Sequence, residues 1–228
     1  MPRGIRITID PSTDAQQGPQ IVPSNMPRKI VRLWAVIVLA GTLALGMCAS
    51  AAAETDTESD ARKWAVSLYY ARLNDGALDE TLTFSANSEN SSLLVLALSR
   101  RFYTFRDWFD LEFEGQVAKH FQEQNHCEFN LLGTFRWIKF PWDQYVDTSV
   151  AAGAGLSYAT AEPEIELKNH ENVSKFLGYL MFEVAFSLPP LPQWDLFARI
   201  HHRSGAGGTF AGVEGASNAY GIGIRYKY

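Results

Sequence analysis

Cysteine, basic charge and long apolar runs are all scarce in this sequence of 228 residues. Cys48 and Cys127 are its two cysteines, and Cys48 lies in a segment that we expect to be removed, so neither an intrachain disulfide nor a cysteine-based metal site is expected. Asp and Glu number 25 against 20 Lys and Arg, and an acidic chain is a poor candidate for nucleic-acid binding. After residue 54 no run is long and apolar enough to form a membrane-spanning helix.

The N-terminal part of the chain has the pattern of an export signal. Basic residues precede an apolar block from Leu33 to Leu45, and small residues follow it and end at Ala53, before an acidic stretch. We predict a secretory signal peptide over residues 26–53, cleaved after Ala53. Residues 1–25 are polar and patternless, and we interpret them as a mis-assigned start or an unstructured extension. The mature domain would then be residues 54–228, and it is more acidic than the whole chain.

Strict alternation of apolar and polar residues recurs along the whole mature segment. A period of two is typical of a strand with one apolar and one polar face. We count eight such segments. They are Trp64–Tyr70, Leu94–Phe102, Phe109–Val117, Phe129–Trp137, Val146–Leu156, Phe176–Leu188, Trp194–Ile200 and Tyr220–Tyr228.

The connections between these segments alternate in length. The short ones are Tyr103–Asp107, Lys139–Asp143 and Pro189–Gln193, and the longer polar ones are Asn74–Ser91, His120–Cys127, Ala159–Asn172 and Gly205–Ser217. Short periplasmic turns and longer outer loops are typical of outer-membrane barrels. We therefore predict an all-β fold, an eight-stranded antiparallel up-and-down transmembrane β-barrel.

The polar face of these strands distinguishes a membrane barrel from a soluble β-domain. In the soluble domain the apolar face would be buried and the polar face would be exposed. A barrel of eight strands is too narrow for a channel, so charged residues on its polar face should fill the interior as ion pairs. The charged residues are Asp110, Glu112, Glu114, Glu128, Arg136, Glu183, Arg199 and Arg225. Aromatic residues near the short-turn end predict one membrane girdle: Trp64, Trp108, Trp137, Trp142, Trp194, Tyr226 and Tyr228.

His202 and Ser204 continue the lipid-facing, even-numbered positions of the seventh strand. Residues two apart on one strand face are about 6.5–7 Å apart at Cα, so an imidazole can reach a hydroxyl. By the same parity His201 and Arg203 point inward. Polar residues on the outside of a barrel are costly unless they have a function, and a Ser–His pair there could attack an ester of a membrane lipid. The alternative is that both are ordinary polar residues of the headgroup zone.

The C-terminal segment resembles the PagL-type lipid A 3-O-deacylases. The resemblance lies in His202-x-Ser204 at the end of the seventh strand, the Gly-rich loop that follows, Gly212-Val213-Glu214, and a last strand that ends in aromatic residues. It implies a Ser–His–Glu triad on the lipid-facing exterior. Ser204 would be the nucleophile, His202 the general base, and Glu214 the carboxylate that orients His202. The loop between Ser204 and Glu214 is shorter than in that family.

Further residues near the pair have candidate roles. Gly205, Gly207 and Gly208 could offer backbone N–H groups to an oxyanion, or could simply provide the bends of the loop. Asn218, lipid-facing by parity, is a candidate oxyanion or ligand-positioning residue. We expect no metal and no cofactor, since no paired His and Asp ligands lie near the site. The implied partner is lipid A in the outer leaflet of the outer membrane. The sequence does not decide whether the barrel also forms a homodimer.

Two other functions fit the same barrel. One is a non-catalytic OmpA- or OmpX-like barrel for adhesion or envelope integrity. The other is a palmitoyltransferase-like barrel that holds its donor lipid in the lumen. The second would need inward-facing catalytic groups, and the even parity of His202 and Ser204 argues against it.

Overall fold

The computed structural model describes residues 62–163, 167, 173–210, 212–213 and 216–228. The predicted extension (1–25), the predicted signal peptide (26–53) and Glu214 lie outside the described residues. Within the described ranges, no helix has the length and apolar character needed to cross a membrane.

Eight antiparallel strands form a closed up-and-down barrel in which each strand pairs with the next and β8 closes on β1. The strands are β1 (Trp64–Asn74), β2 (Ser88–Phe105), β3 (Phe109–Gln122), β4 (Cys127–Trp137), β5 (Asp147–Ala159), β6 (Phe176–Ser187), β7 (Trp194–Ser204) and β8 (Ala216–Lys227). A short helix, α1 (Leu78–Leu82), lies in the β1–β2 connection. The predicted fold class is confirmed.

The apolar residues chosen by the alternation lie on the outside of the barrel. On β7, Trp194 and Leu196 are 43% and 54% exposed, whereas Asp195 and Phe197 between them are 7% and 1% exposed. The same alternation of exposed and buried residues runs through β1 and β4. An exterior this apolar over the whole circumference requires a lipid environment, so the protein is a transmembrane barrel.

The interior holds a buried ion network centred on Glu183. Its carboxylate contacts Arg136 at 2.8 Å, Arg199 at 2.5 Å and Arg225 at 2.6 Å. Arg199 also binds Glu114. Because each buried charge has a partner of opposite sign, the desolvation cost is offset. The predicted filling of the lumen by paired ions is confirmed.

The two ends of the barrel differ. We call the end that carries Trp64 and Tyr228 the turn end, where the Trp64 N–H donates to the Tyr228 carbonyl at 3.0 Å. The predicted aromatic girdle lies there: the rings of Trp194 and Tyr226 are 4.8 Å apart, and Trp108 and Trp137 lie beside each other as well. The opposite end, which carries the β1–β2, β3–β4, β5–β6 and β7–β8 connections, is called the loop end.

Several strand limits differ from the sequence prediction, and they do so at polar strand ends. β2 begins at Ser88, earlier than predicted, and β3 continues to Gln122. The β3–β4 connection at the loop end is therefore only 123–126. The β4–β5 connection at the turn end spans 138–146 and is longer than the predicted 139–143, although β4 ends at Trp137 as predicted. The predicted alternation of connection lengths is wrong at these two places. Strand ends that leave the membrane lose their apolar face, so the alternation no longer marks them.

Candidate active site on the outer wall

The candidate site lies at the loop end of β7 and β8. Cross-strand pairing puts His202 opposite Asn218 and Ser204 opposite Ala216. His202 and Ser204 continue the outward face that begins with Trp194, because the pairing of β7 is regular throughout. The sequence-based parity thus places the pair on the outer wall.

The odd-numbered neighbours of the pair, His201 and Arg203, face the lumen, as predicted. His201 lies within hydrogen-bond distance of Glu128 Oε1, at 2.9 Å, and of the hydroxyls of Tyr69 and Tyr179. Arg203 donates to Ser157 Oγ at 3.1 Å. One strand therefore carries a lumen network on one face and the candidate site on the other.

Three side chains form a continuous hydrogen-bonded chain. His202 Nε2 is 3.0 Å from Ser204 Oγ, and His202 Nδ1 is 2.5 Å from Asn218 Oδ1. Asn218 Nδ2 donates to the carbonyl oxygen of Gly76 at 2.8 Å.

The hydrogen bond from Asn218 to Gly76 determines which nitrogen of His202 carries the proton and which accepts the Ser204 hydroxyl. A carbonyl oxygen can only accept, so the Asn218 atom that faces Gly76 is the NH₂ group and Oδ1 faces His202. Oδ1 in turn can only accept, so neutral His202 carries its proton on Nδ1. His202 Nε2 is then the acceptor for the Ser204 hydroxyl. This is the arrangement in which an imidazole acts as general base toward a serine.

One side of the site is closed by residues 75–87, which we call the cover segment. Besides the bond from Asn218 to Gly76, the Tyr220 hydroxyl donates to the Thr81 carbonyl at 2.9 Å, and the rings of Phe84 and Tyr220 stack at 5.4 Å. Gly76 fits because a Cβ there would lie 2.4 Å from the Ala86 Cβ. The cover segment is thus held against the outer wall of β8 by specific contacts.

The other side is closed by the start of the β7–β8 connection. The ring of Phe210 lies against Gly178, the residue paired with Ser204 on β6, where a Cβ would come within 3.0 Å of it. Gly207 and Gly208 have positive φ, as a tight bend requires, and the Gly208 N–H donates to the Val213 carbonyl at 2.9 Å. That N–H is engaged within the loop.

These two segments bury the pair. His202 is 2% exposed and Ser204 5%, although Trp194, Leu196 and Ala198 on the same strand face are exposed. The pair lies on the face that parity predicts, but it is covered there and not in direct contact with lipid. The physical reason is that connections at the loop end fold back along the outer wall, which strand parity cannot reveal.

Asn218 was predicted to contact an oxyanion or to position a ligand. Both ends of its amide are used, one by His202 and one by Gly76. Glu214, expected to orient His202, lies outside the described residues, and its role stays a prediction.

An apolar groove of about 490 Å³ runs down the outer wall next to the site. Leu82 and Phe84 of the cover segment form its upper side. Ala198 and Ile200, which precede His202 on the outward face of β7, line its floor together with Ala152 of β5. The groove has the shape and polarity for a hydrocarbon chain.

The fold and the site define a class: a transmembrane β-barrel with a buried Ser–His–Asn chain on its outer wall. No protein-family model and no curated protein sequence matches the chain.

Several solved structures of small outer-membrane barrels are similar to it. The outer membrane enzyme PagL has a TM-score of 0.48 at 10% identity, covering 71% of this chain and 98% of PagL. Neisserial surface protein A has a TM-score of 0.44 at 12% identity, covering 72% of this chain and 97% of that one. The attachment invasion locus protein Ail of Yersinia pestis has a TM-score of 0.38 at 12% identity, covering 73% and 99%. These similarities concern the barrel fold alone.

Proposed function

We propose that this protein is an outer-membrane esterase that hydrolyses the 3-O-linked hydroxyacyl chain of lipid A. Ser204 is the nucleophile, His202 the general base, and Asn218 the residue that holds the imidazole. The observation that carries the proposal is the hydrogen-bonded chain from Asn218 through His202 to Ser204, with both ring nitrogens in the roles that catalysis needs.

The proposed reaction has two stages. In the first, Ser204 Oγ attacks the ester carbonyl carbon while His202 Nε2 accepts the hydroxyl proton. The tetrahedral intermediate collapses, the bond from the carbonyl carbon to the sugar oxygen breaks, and His202 returns the proton to that oxygen. In the second stage, His202 Nε2 accepts a proton from the water that attacks the acyl-serine, the bond from the carbonyl carbon to Ser204 Oγ breaks, and the proton passes to Oγ as the fatty acid leaves.

Asn218 takes the place that the resemblance gives to Glu214. An amide oxygen on Nδ1 fixes the imidazole tautomer and ring orientation, as in Cys–His–Asn proteases, but it adds no negative charge. The bond from Asn218 to Gly76 keeps the oxygen turned toward His202.

The surroundings of the site support a lipid ester as substrate. Ser204 lies on the outer wall, and the apolar groove is lined by Ile200 and Ala198, which precede His202 on the same face of β7. An acyl chain in that groove would present its ester at the upper end. Because the pair is buried, the substrate must displace part of the cover segment or of residues 205–210 to enter.

The side of the membrane follows from the barrel ends. Outer-membrane barrels keep short turns and chain ends in the periplasm and longer loops at the cell surface. The loop end, and with it Ser204, then lies at the level of the outer leaflet, where lipid A is found.

Mass spectrometry of lipid A tests the proposal. Cells that express the wild type should contain lipid A that lacks one hydroxyacyl chain, whereas cells that express Ser204→Ala should not. Ser99→Ala is a matched control, because Ser99 is a buried lumen serine of β2 that pairs with Ala65 at the turn end, opposite the site. It should modify lipid A like the wild type.

Unmodified lipid A in cells with folded wild-type barrel would overturn the proposal and favour the non-catalytic alternative. A gain of an acyl chain would overturn it in favour of an acyltransferase.

A further inference from the structure

A second cluster of reactive side chains lies inside the barrel at the loop end. His120 near the end of β3, His126 in the β3–β4 connection and Glu128 at the start of β4 all point into the lumen, each at most 5% exposed. The His120 N–H donates to the His126 carbonyl at 3.0 Å, so the hairpin that carries the cluster is closed by its own backbone.

The two imidazoles of this cluster have unused nitrogen atoms. Their rings stack with centroids 4.2 Å apart. Among the described residues, His120 Nδ1 and His126 Nε2 are buried without a hydrogen-bond partner, and so is Oε1 of neighbouring Gln124. Because buried polar atoms normally have a hydrogen-bond partner, His126 Nε2 in particular is available to bind another group.

The spacing of the donors fits one metal ion. One ligand atom from each of His120, His126 and Glu128 lies within 4.8 Å of the others, and His120 Nε2 is 3.1 Å from Glu128 Oε2. Nitrogen and oxygen ligands about 2.0–2.2 Å from a tetrahedral metal are about 3.4 Å from one another. The closest pair, at 3.1 Å, is near this separation, so the ligand atom of His120 would be Nε2, and the ion would take the place of its hydrogen bond to Glu128.

The surroundings complete a second coordination sphere. Glu128 Oε1 contacts His201 Nε2 at 2.9 Å, and His201 Nδ1 contacts the Tyr69 hydroxyl at 2.9 Å. Such outer partners hold a ligating carboxylate in place.

We propose that His120, His126 and Glu128 bind a divalent transition-metal ion, Zn²⁺ by preference, in the lumen at the loop end. Two imidazoles and one carboxylate are a ligand set suited to Zn²⁺, whereas Mg²⁺ and Ca²⁺ prefer oxygen ligands. The ion would tie the β3–β4 connection to the barrel wall. The site is on the lumen side and does not depend on the function proposed for Ser204.

Titration of the purified, chelator-treated full barrel with Zn²⁺ by isothermal calorimetry tests the proposal. The wild type should bind about one ion per barrel, and Mg²⁺ should give no heat. His126→Ala should weaken Zn²⁺ binding at least about tenfold, since one of three ligands is lost. His126 lies in a connection, so this variant should keep the circular-dichroism spectrum of the barrel. His202→Ala, which removes a histidine from the outer wall, should bind Zn²⁺ like the wild type.

A second measurement uses Co²⁺ in place of Zn²⁺. The visible absorption of a tetrahedral Co²⁺ site should appear with the wild type and be lost in His120→Ala and His126→Ala. No Zn²⁺ binding by the folded wild type, or equal affinity in wild type and His126→Ala, would overturn the proposal.

Discussion

At the scale of single residues, the site depends on contacts that alternation can only partly predict. Period two placed His202 and Ser204 on one outward face, because side-chain direction on a regular strand follows directly from counting. The contact between His202 and Asn218 needed the register between β7 and β8, which the intervening connection sets. The sequence therefore identified Asn218 as near the pair but not as the partner of Nδ1.

Substitution of Asn218 tests its proposed role as the positioning residue. Asn218→Ala should lower kcat for deacylation by about 10²-fold, because the imidazole loses its tautomer and orientation. Asn218→Asp should retain most activity, and the acidic limb of its rate profile should move to higher pH, because a carboxylate at Nδ1 stabilises the protonated imidazole. Steady-state kinetics over a range of pH measures both.

Glu214→Gln is the matched comparison for that experiment. If Asn218 orients His202, this variant should stay within about threefold of the wild type. A large loss of kcat in Glu214→Gln together with near-normal activity in Asn218→Ala would instead assign the orienting role to Glu214.

At the scale of elements, the strands were predictable and the segments outside them were not. Each strand has to expose its apolar residues to lipid, so apolar residues recur at every second position of the strand. The cover segment carries no comparable pattern. Its helix α1 is five residues long and its contacts are few and specific, chiefly Phe84 on Tyr220 and Gly76 with Asn218. The cluster of His120, His126 and Glu128 escaped prediction for a similar reason, since β3 extends further than its apolar alternation.

Gly76→Ala tests whether the cover segment positions Asn218. A methyl group at residue 76 would meet the Ala86 Cβ at 2.4 Å, so the backbone must shift and its carbonyl leaves Asn218. A displacement of about 1 Å near a catalytic group can cost up to about 10²-fold in rate, and we expect kcat to fall without loss of barrel stability. Gly115→Ala is the control, because a Cβ there meets nothing within 4 Å. Equal kcat in both variants would show that the cover segment has no such role.

At the scale of the whole molecule, the barrel is an apolar shell around a charged core. Glu183 and its three arginines fill the centre, where a channel would otherwise be, and Leu131 and its outward neighbours form the lipid contact. A soluble β-domain of the same sequence would have these two surfaces exchanged. The sequence could predict this division because charge and hydropathy separate by parity on nearly every strand.

Leu131→Arg tests the membrane orientation. Leu131 is 64% exposed in the middle of β4, and an arginine at the bilayer midplane of a barrel costs about 2–4 kcal/mol. Folding into lipid vesicles, followed by denaturant titration, should show that loss. Phe121→Arg at the loop end should cost only about 0–1 kcal/mol. Equal, small effects of the two substitutions would contradict a membrane-embedded wall.

The central claim is that Ser204 on this outer wall is an activated nucleophile. Labelling of the purified barrel in mixed micelles with a fluorophosphonate, followed by peptide mass spectrometry, measures this without any assumption about the substrate. We expect a single adduct on Ser204, formed much more slowly in His202→Ala and absent in Ser204→Ala. A folded wild-type barrel that forms no adduct at Ser204, or one that labels equally fast without His202, would contradict the account.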